Sequence, residues 1–266
     1  MVRRVLVLVC LALGAPNALA YPGGTPSYVT DVAPYCTSCH SSTSPDQLQG
    51  VPTQRVQAEL ADKKHIAKIK GAKEGSPYAA LTAAQRTALI GAIEQIDAAS
   101  RISLVAPTTL KPDQVFEVTL NATGGSGPTV GMALVDSDQR WQARPAASAG
   151  WQVLDKPSVT GPDGQPQTQF TDGRNPMLPP GTSYVNVYGV SADPGQGTFS
   201  SVSATFRLRA PHLPGEYPLA AVFFYGTEKA APHGAVESLQ GKRPLGGFGG
   251  NSGRVKFSPV LRIQVR

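Results

Sequence analysis

Cysteine is scarce in this sequence, and its scarcity excludes one class of exported protein. The 266 residues include three cysteines, of which Cys10 lies in the N-terminal apolar run. The other two, Cys36 and Cys39, are close neighbours, so no pair remains to join distant parts of the chain. A disulfide-stapled scaffold is therefore excluded. The fold must rest on an ordinary apolar core, which a content of 41% hydrophobic residues allows.

The sequence also lacks an apolar run of the roughly 20 residues that a membrane-spanning helix needs. The run Val5–Leu13 follows two arginines and precedes the small-residue ending Ala18-Leu19-Ala20. This order predicts a cleavable export signal over residues 1–20, a periplasmic or extracellular protein and no membrane span. A lipid anchor on Cys10 is the weaker alternative, because residues 7–9 lack the small residue expected before a lipoprotein cysteine.

Charged residues are few as well, at 16% of the chain. The formal net charge of +6 falls by two, to +4, when the two arginines of the signal are removed. Nucleic-acid binding needs a concentrated Lys/Arg stripe with interleaved aromatic residues, and this chain has none. The composition therefore argues against a nucleic-acid partner.

Two helices are predicted in the first third of the mature chain. Between Pro52 and Ala72, residues 53–70 are good helix formers without a glycine or proline. A second helix begins after Thr82, which with Gln85 three residues later has the pattern of a capping box. Leu89, Ile93 and Ile96 then recur at helical spacing and predict one apolar stripe.

After about residue 101 the pattern changes to short alternating apolar runs between proline- and glycine-containing turns, which predicts β-strands. The predicted strands are Val115 to Leu120, Val130 to Val135, Tyr184 to Val190, Val202 to Leu208, Tyr217 to Tyr225 and Val255 to Val265. Strands without long helices between them favour antiparallel packing, so residues 102–266 are expected to form an immunoglobulin-like β-sandwich. The segment Leu213 to Tyr217 resembles the turn that places a tyrosine at a sandwich corner.

The two mature cysteines lie in a Cys-x-x-Cys-His motif formed by Cys36, Cys39 and His40. This motif is the attachment signature of a covalent haem, with two thiols spaced for the two vinyl groups and a histidine placed to bind the iron. A redox-active dithiol or half of a zinc site completed by His65 are the alternatives. Neither a βαβ surround nor a second ligand pair supports them.

From Tyr35 to Ile96 the chain resembles the c-type cytochrome family. The resemblance rests on three parts in the same order: this motif, a middle segment that supplies a ligand, and a closing helix that starts near Leu81-Thr82-Ala83. The resemblance implies that Cys36 and Cys39 are the thioether anchors of one haem c and that His40 is the proximal iron ligand. It also implies a multidomain α + β fold, with a small all-α haem domain over residues 21–101 ahead of the sandwich.

The sequence differs from the family in the sixth iron ligand. That ligand is often methionine in the family, but residues 21–101 contain no methionine. His65 is the candidate distal ligand, since it is the one other histidine before the sandwich. The competing interpretation is a solvated histidine among neighbouring lysines. Other suppliers of a ligand are Met132, Met177, His212, His233 and the lysines.

The sequence therefore predicts an exported electron carrier rather than an enzyme. Its expected partners are redox proteins, acidic ones among them, and the sandwich is expected to serve for docking. A haem enzyme or gas sensor with an open or displaceable axial position is one alternative. A β-sandwich binding protein with an accessory haem is the other, since sandwiches serve many unrelated functions. The oligomeric state is left open.

Overall fold

The computed structural model describes most of the chain from residue 65 onwards. The described residues are 55, 65–74, 76, 78–126, 128–138, 143–172, 183–227, 235–238, 241–244 and 253–266. The haem motif at Cys36, Cys39 and His40 and the export signal over residues 1–20 lie outside the described residues.

Strands make up most of the regular structure in this part of the chain. The helices are α1 (Ala67–Gly71), α2 (Ala83–Ala99) and the single turn α3 (Gln169–Asp172). The first strands are β1 (Arg101–Val105), β2 (Thr109–Leu110), β3 (Val115–Thr123), β4 (Thr129–Val135), β5 (Gln152–Val153), β6 (Ser158–Thr160) and β7 (Tyr184–Tyr188). They continue with β8 (Ala192–Asp193), β9 (Thr198–Phe199), β10 (Ser201–Arg209), β11 (Gly215–Gly226), β12 (Ala235–Ser238), β13 (Gly241–Pro244), β14 (Gly253–Phe257) and β15 (Leu261–Val265).

Two main sheets form a sandwich. In the first, β3 lies between β1 and β10, and both β5 and β6 pair with the other edge of β10. In the second, the order is β2-β15-β11-β4-β7, and β14 pairs with β11 beyond the end of β15. The pairing is antiparallel except between β15 and β2, which are parallel. Two further pairs, β8 with β9 and β12 with β13, form separate hairpins.

Alternation along the strands builds the core between the sheets. In β10 the even-numbered residues Val202 to Leu208 are buried, whereas their odd-numbered neighbours are more exposed. Trp151 is also buried, and its indole N–H donates to the carbonyl of Pro218 at 2.9 Å. This bond satisfies the polar edge of a ring that otherwise contributes apolar surface.

The predicted tyrosine corner is confirmed. The hydroxyl of Tyr217 donates to the carbonyl oxygen of Leu213, four residues upstream, at 2.8 Å. The ring of Tyr217 lies edge-on to Trp151, with centroids 5.9 Å apart. The corner therefore fixes the turn that leads into β11 against the core.

The six predicted strands are confirmed, with one break. The predicted strand from Val255 to Val265 is two strands, β14 and β15, because Pro259 has no N–H to donate. Ser258 bridges the break, since its N–H donates to the carbonyl of Ala221 and its hydroxyl accepts from the N–H of Ala221, both at 2.9 Å.

The expected small all-α haem domain is wrong for the described residues. Residues 65–100 supply the two helices α1 and α2, and α2 does not close a separate helical domain. Its Ile96 belongs to the buried core of the sandwich, and its Asp97 bonds to β14. Part of the apolar stripe of α2 is thus buried against strands. The periodicity of a helix predicts that one face is buried, but it does not tell whether strands, helices or a haem cover that face.

This packing corrects the resemblance to the c-type cytochromes and the electron-carrier function that it implied: the described part of the chain is a β-sandwich with an attached helix. The predicted domain boundaries at residues 20 and 101 stay predictions.

The capping box of α2 is confirmed. The hydroxyl of Thr82 accepts from the N–H of Gln85 at 3.2 Å, and the side chain of Gln85 accepts from the N–H of Thr82 at 2.8 Å. Within the described residues, none of the helices has the length and apolar character needed to cross a bilayer.

Candidate functional site

His65, the predicted distal ligand, lies buried where the helices meet the sandwich, with no exposed side-chain surface. Its Nε2 is 3.1 Å from the hydroxyl of Tyr78, and its Nδ1 is 3.0 Å from Nη2 of Arg254 on β14. The alternative interpretation as a solvated histidine is wrong, because these two side chains enclose the ring.

The arrangement of His65 does not fit an iron ligand. A guanidinium has donors only, so Nδ1 of His65 must accept from Arg254 and carries no proton. The ring proton is then on Nε2, which donates to the hydroxyl of Tyr78. An iron ligand needs a free lone pair on one ring nitrogen, so ligation by His65 would require breaking its bond to Arg254 or moving the proton off Nε2.

A network of charged and polar groups continues from Arg254. Its Nε donates to a carboxylate oxygen of Asp97 at 3.0 Å, and the hydroxyl of Tyr225 donates to the other oxygen at 2.9 Å. Lys256 donates to the carbonyl oxygens of Asp97 and Ser100 at the end of α2. These contacts attach the C-terminal end of α2 to strands β11 and β14.

Burial shifts two pKa values in this network. Burial, and after it the charge of Asp97, raises the pKa of Tyr225 well above its usual 10.0. Burial lowers the pKa of Lys256, and the Asp97 carboxylate opposes that shift. The network is thus an ion-pair cluster at the junction of α2 with strands β11 and β14.

The other ligand candidates are dispersed. Met132 is fully buried in the sandwich core, whereas His212 is exposed and bonds to Asp113 at 2.6 Å, which raises the pKa of the histidine. Met177 and His233 lie outside the described residues. In the part of the chain that the structure describes, no group of three or more His, Cys, Asp or Glu side chains could hold a metal ion.

An open cleft of about 730 Å³ separates α2 from the β8–β9 hairpin and the adjacent end of the sandwich. Its apolar surface comes from Leu89, Ala92 and Ile96, which lie on one face of α2, and from Ala192, Pro194 and Phe199 of the hairpin. Its polar lining comes from Ser126, Ser191, Asp193, Thr198, Ser200 and Thr227. This volume falls within the range of small-molecule sites, about 300–1,000 Å³.

Local sequence fixes the hairpin wall of the cleft. The side chain of Asp193 accepts from the N–H of Gln196 at 3.2 Å, Pro194 starts the turn, and Gly197 ends it with a positive φ of 65°. At the base, the hydroxyl of Ser200 accepts from the N–H of Ser191 at 3.0 Å and donates to its carbonyl at 2.8 Å. The wall is therefore set by hydrogen bonds at both ends.

Ser126 reaches the cleft from a glycine turn. A Cβ on Gly124 would lie 2.6 Å from Cα of Ser100, and φ is +95° there, so this position needs glycine. Ser126 is 5% exposed, and its hydroxyl has no hydrogen-bond partner within the described ranges. Because a buried hydroxyl without a partner costs free energy, this group suits a hydrogen bond to a bound molecule.

Comparisons with known proteins identify no family. No family model and no curated protein matches the chain. Among solved structures, a CARDB domain from Pyrococcus furiosus, crystallised in complex with di-metal ions, is similar over 63% of this chain and 90% of its own. The identity is 10% and the TM-score is 0.26, so this similarity carries no argument.

Sequence reasoning missed the cleft. The segment Asp193 to Gly197 has the composition of a tight turn, and Gly124-Gly125-Ser126 has that of another, but they are far apart in sequence. Composition predicts each turn and gives no indication that both face the same side of α2.

Proposed function

We propose that this protein is a β-sandwich binding protein whose ligand occupies the cleft between α2 and the β8–β9 hairpin. The observation that carries the proposal is an apolar cleft of ligand size with a buried hydroxyl, that of Ser126, left without a partner among the described residues. Small-molecule binding sites are commonly concave, mostly apolar pockets with a few polar groups that orient the ligand.

The rigid surroundings of the cleft support the proposal. One wall is α2, whose C-terminal end is attached to the sandwich through Asp97, and the other is the hydrogen-bonded hairpin. A preformed site loses little entropy on binding, which favours affinity. The polar network around Arg254 then has the role of fixing the helix that forms one side of the site.

The test is binding of the neutral fluorescent probe N-phenyl-1-naphthylamine to the full chain. Ala92→Trp places an indole in the cleft and should weaken binding about tenfold. Ala88→Trp is the matched control, because Ala88 is exposed on the same helix and does not line the cleft. Unchanged binding by Ala92→Trp, or no binding by the wild type, would overturn the proposal.

Export and an accessory haem are part of the same proposal. The leader over residues 1–20 supports a periplasmic or extracellular location. Cys36, Cys39 and His40 would hold one covalent haem, which would supply an iron centre. The motif supports this, whereas the geometry of His65 argues against a role as sixth ligand.

Haem attachment is tested by expressing the chain with haem-maturation machinery and staining a denaturing gel for haem. The wild type should keep its pigment on the gel and after extraction with acidified acetone, whereas a variant that carries both Cys36→Ala and Cys39→Ala should release it. Pigment-free wild-type protein would show that the motif does not carry haem, and the cleft proposal would be unaffected.

A further inference from the structure

We infer that the cleft selects small amphiphilic molecules that carry a primary amine on an apolar body. The inference rests on the proposed function and adds the chemical class of its ligand. Three features carry it: the charge of the cleft wall, the fixed position of that charge and the apolar face opposite.

Among the described residues that line the cleft, Asp193 is the one with a charged side chain. The chain as a whole is basic, with a formal charge of +6, so the negative charge in the cleft is opposite in sign to the net charge of the protein. No ion pair joins Asp193 to a cation in the part of the chain that the structure describes. A cationic group on the ligand would supply one.

The carboxylate of Asp193 is exposed at the cleft wall and is oriented by a hydrogen bond of the turn. One oxygen accepts from the N–H of Gln196, and Pro194 fixes the backbone at the start of the turn. The second oxygen has no hydrogen-bond partner within the described residues. An ammonium has three donors and no acceptor, so it suits a carboxylate, whereas an anionic ligand would be repelled.

The apolar body of the ligand has a matching surface. Leu89, Ala92 and Ile96 follow one another along one face of α2, and Phe199 adds a ring from the hairpin. The hydroxyl of Ser126 can donate to or accept from a polar group placed deeper in the cleft. It favours no charge, so discrimination between amine and acid is assigned to Asp193.

The test measures displacement of N-phenyl-1-naphthylamine at pH 7 by three probes of similar shape: 2-phenylethylamine, 2-phenylethanol and 3-phenylpropanoate. The amine should bind about fivefold more tightly than the alcohol, the size expected for an exposed ion pair, and the acid should bind most weakly. Asp193→Asn keeps the acceptor for Gln196 and should remove the preference. Ser126→Ala should weaken all three probes alike.

Asp163→Asn is the matched control, since Asp163 also accepts a turn N–H, from Gln165 at 3.0 Å, but lies outside the cleft. It should leave the preference intact. Equal binding of the three probes, tighter binding of the acid, or a preference that survives in Asp193→Asn would overturn the inference. If the naphthylamine probe binds and Ala92→Trp blocks it, the proposed function stands in each of those cases; if that probe does not bind, the proposed function itself fails.

Discussion

Arg254 is the residue on which the junction between helix and sandwich depends. Its side chain is fully buried, and a buried guanidinium is tolerated only when its charge and its donors are matched. Asp97 supplies the charge, and His65 supplies a further acceptor. The histidine therefore acts as a structural acceptor for a buried cation.

Removing the charge of Asp97 should destabilise the protein strongly. In Asp97→Asn, the buried Arg254 loses its counter-charge, so the free energy of unfolding should fall by about 3 kcal/mol. Urea denaturation followed by circular dichroism measures it.

The matched control is Asp155→Asn, which breaks an ion pair of similar length, 2.8 Å to Arg207, whose side chains are 53% and 54% exposed. That change should cost less than about 1 kcal/mol because solvent screens the pair. Equal losses in the two variants would contradict the role assigned to burial.

None of these contacts could be predicted from the sequence. Arg254 lies 157 residues from Asp97 and 189 from His65, and no local pattern connects them. His65 was predicted as an iron ligand because few histidines were available, yet its partners are set by tertiary packing. Sequence likewise did not predict that the hydroxyl of Ser126 and the carboxylate of Asp193 line the same cleft, because this depends on how their two turns pack beside α2.

At the level of elements, local signals were more informative. The start of α2 follows from its capping box, and β10 follows from its alternation, because both patterns express contacts within the element. Strands of two or three residues such as β5, β6 and β8 carry no such pattern. Their pairing depends on longer neighbours, so sequence did not predict them.

The capping box should contribute measurably to the stability of α2. Thr82→Ala removes the acceptor for the N–H of Gln85 and should lower the free energy of unfolding by about 1 kcal/mol. Thr87→Ala is the control, since Thr87 is exposed within the same helix and its hydroxyl donates to the carbonyl of Ala83. That change should be close to neutral, and a loss equal to that of Thr82→Ala would contradict the capping role.

For the molecule as a whole, Tyr225 links stability to alkaline pH. Burial raises its pKa above 10.0, so above that pH the unfolded chain releases a proton that the folded chain keeps. The contribution of this group to stability is therefore present below about pH 10 and is lost as the pH rises towards the folded pKa.

In Tyr225→Phe, the urea midpoint should fall less steeply between about pH 9 and pH 11 than in the wild type. Lys256 is present in both proteins, so the comparison isolates the tyrosine. A slope unchanged in Tyr225→Phe would contradict the raised pKa.

The helix and the sandwich should unfold as one cooperative unit. Ile96 of α2 is part of the sandwich core, and Asp97 is bonded to two of its strands, so the helix cannot leave without exposing both an apolar side chain and a buried cation. Urea transitions followed by helical ellipticity at 222 nm and by tryptophan fluorescence should therefore coincide. Separate transitions in the wild type would instead show that residues 65–100 fold apart from the sandwich, and the cleft between them would then lack the fixed wall on which ligand binding depends.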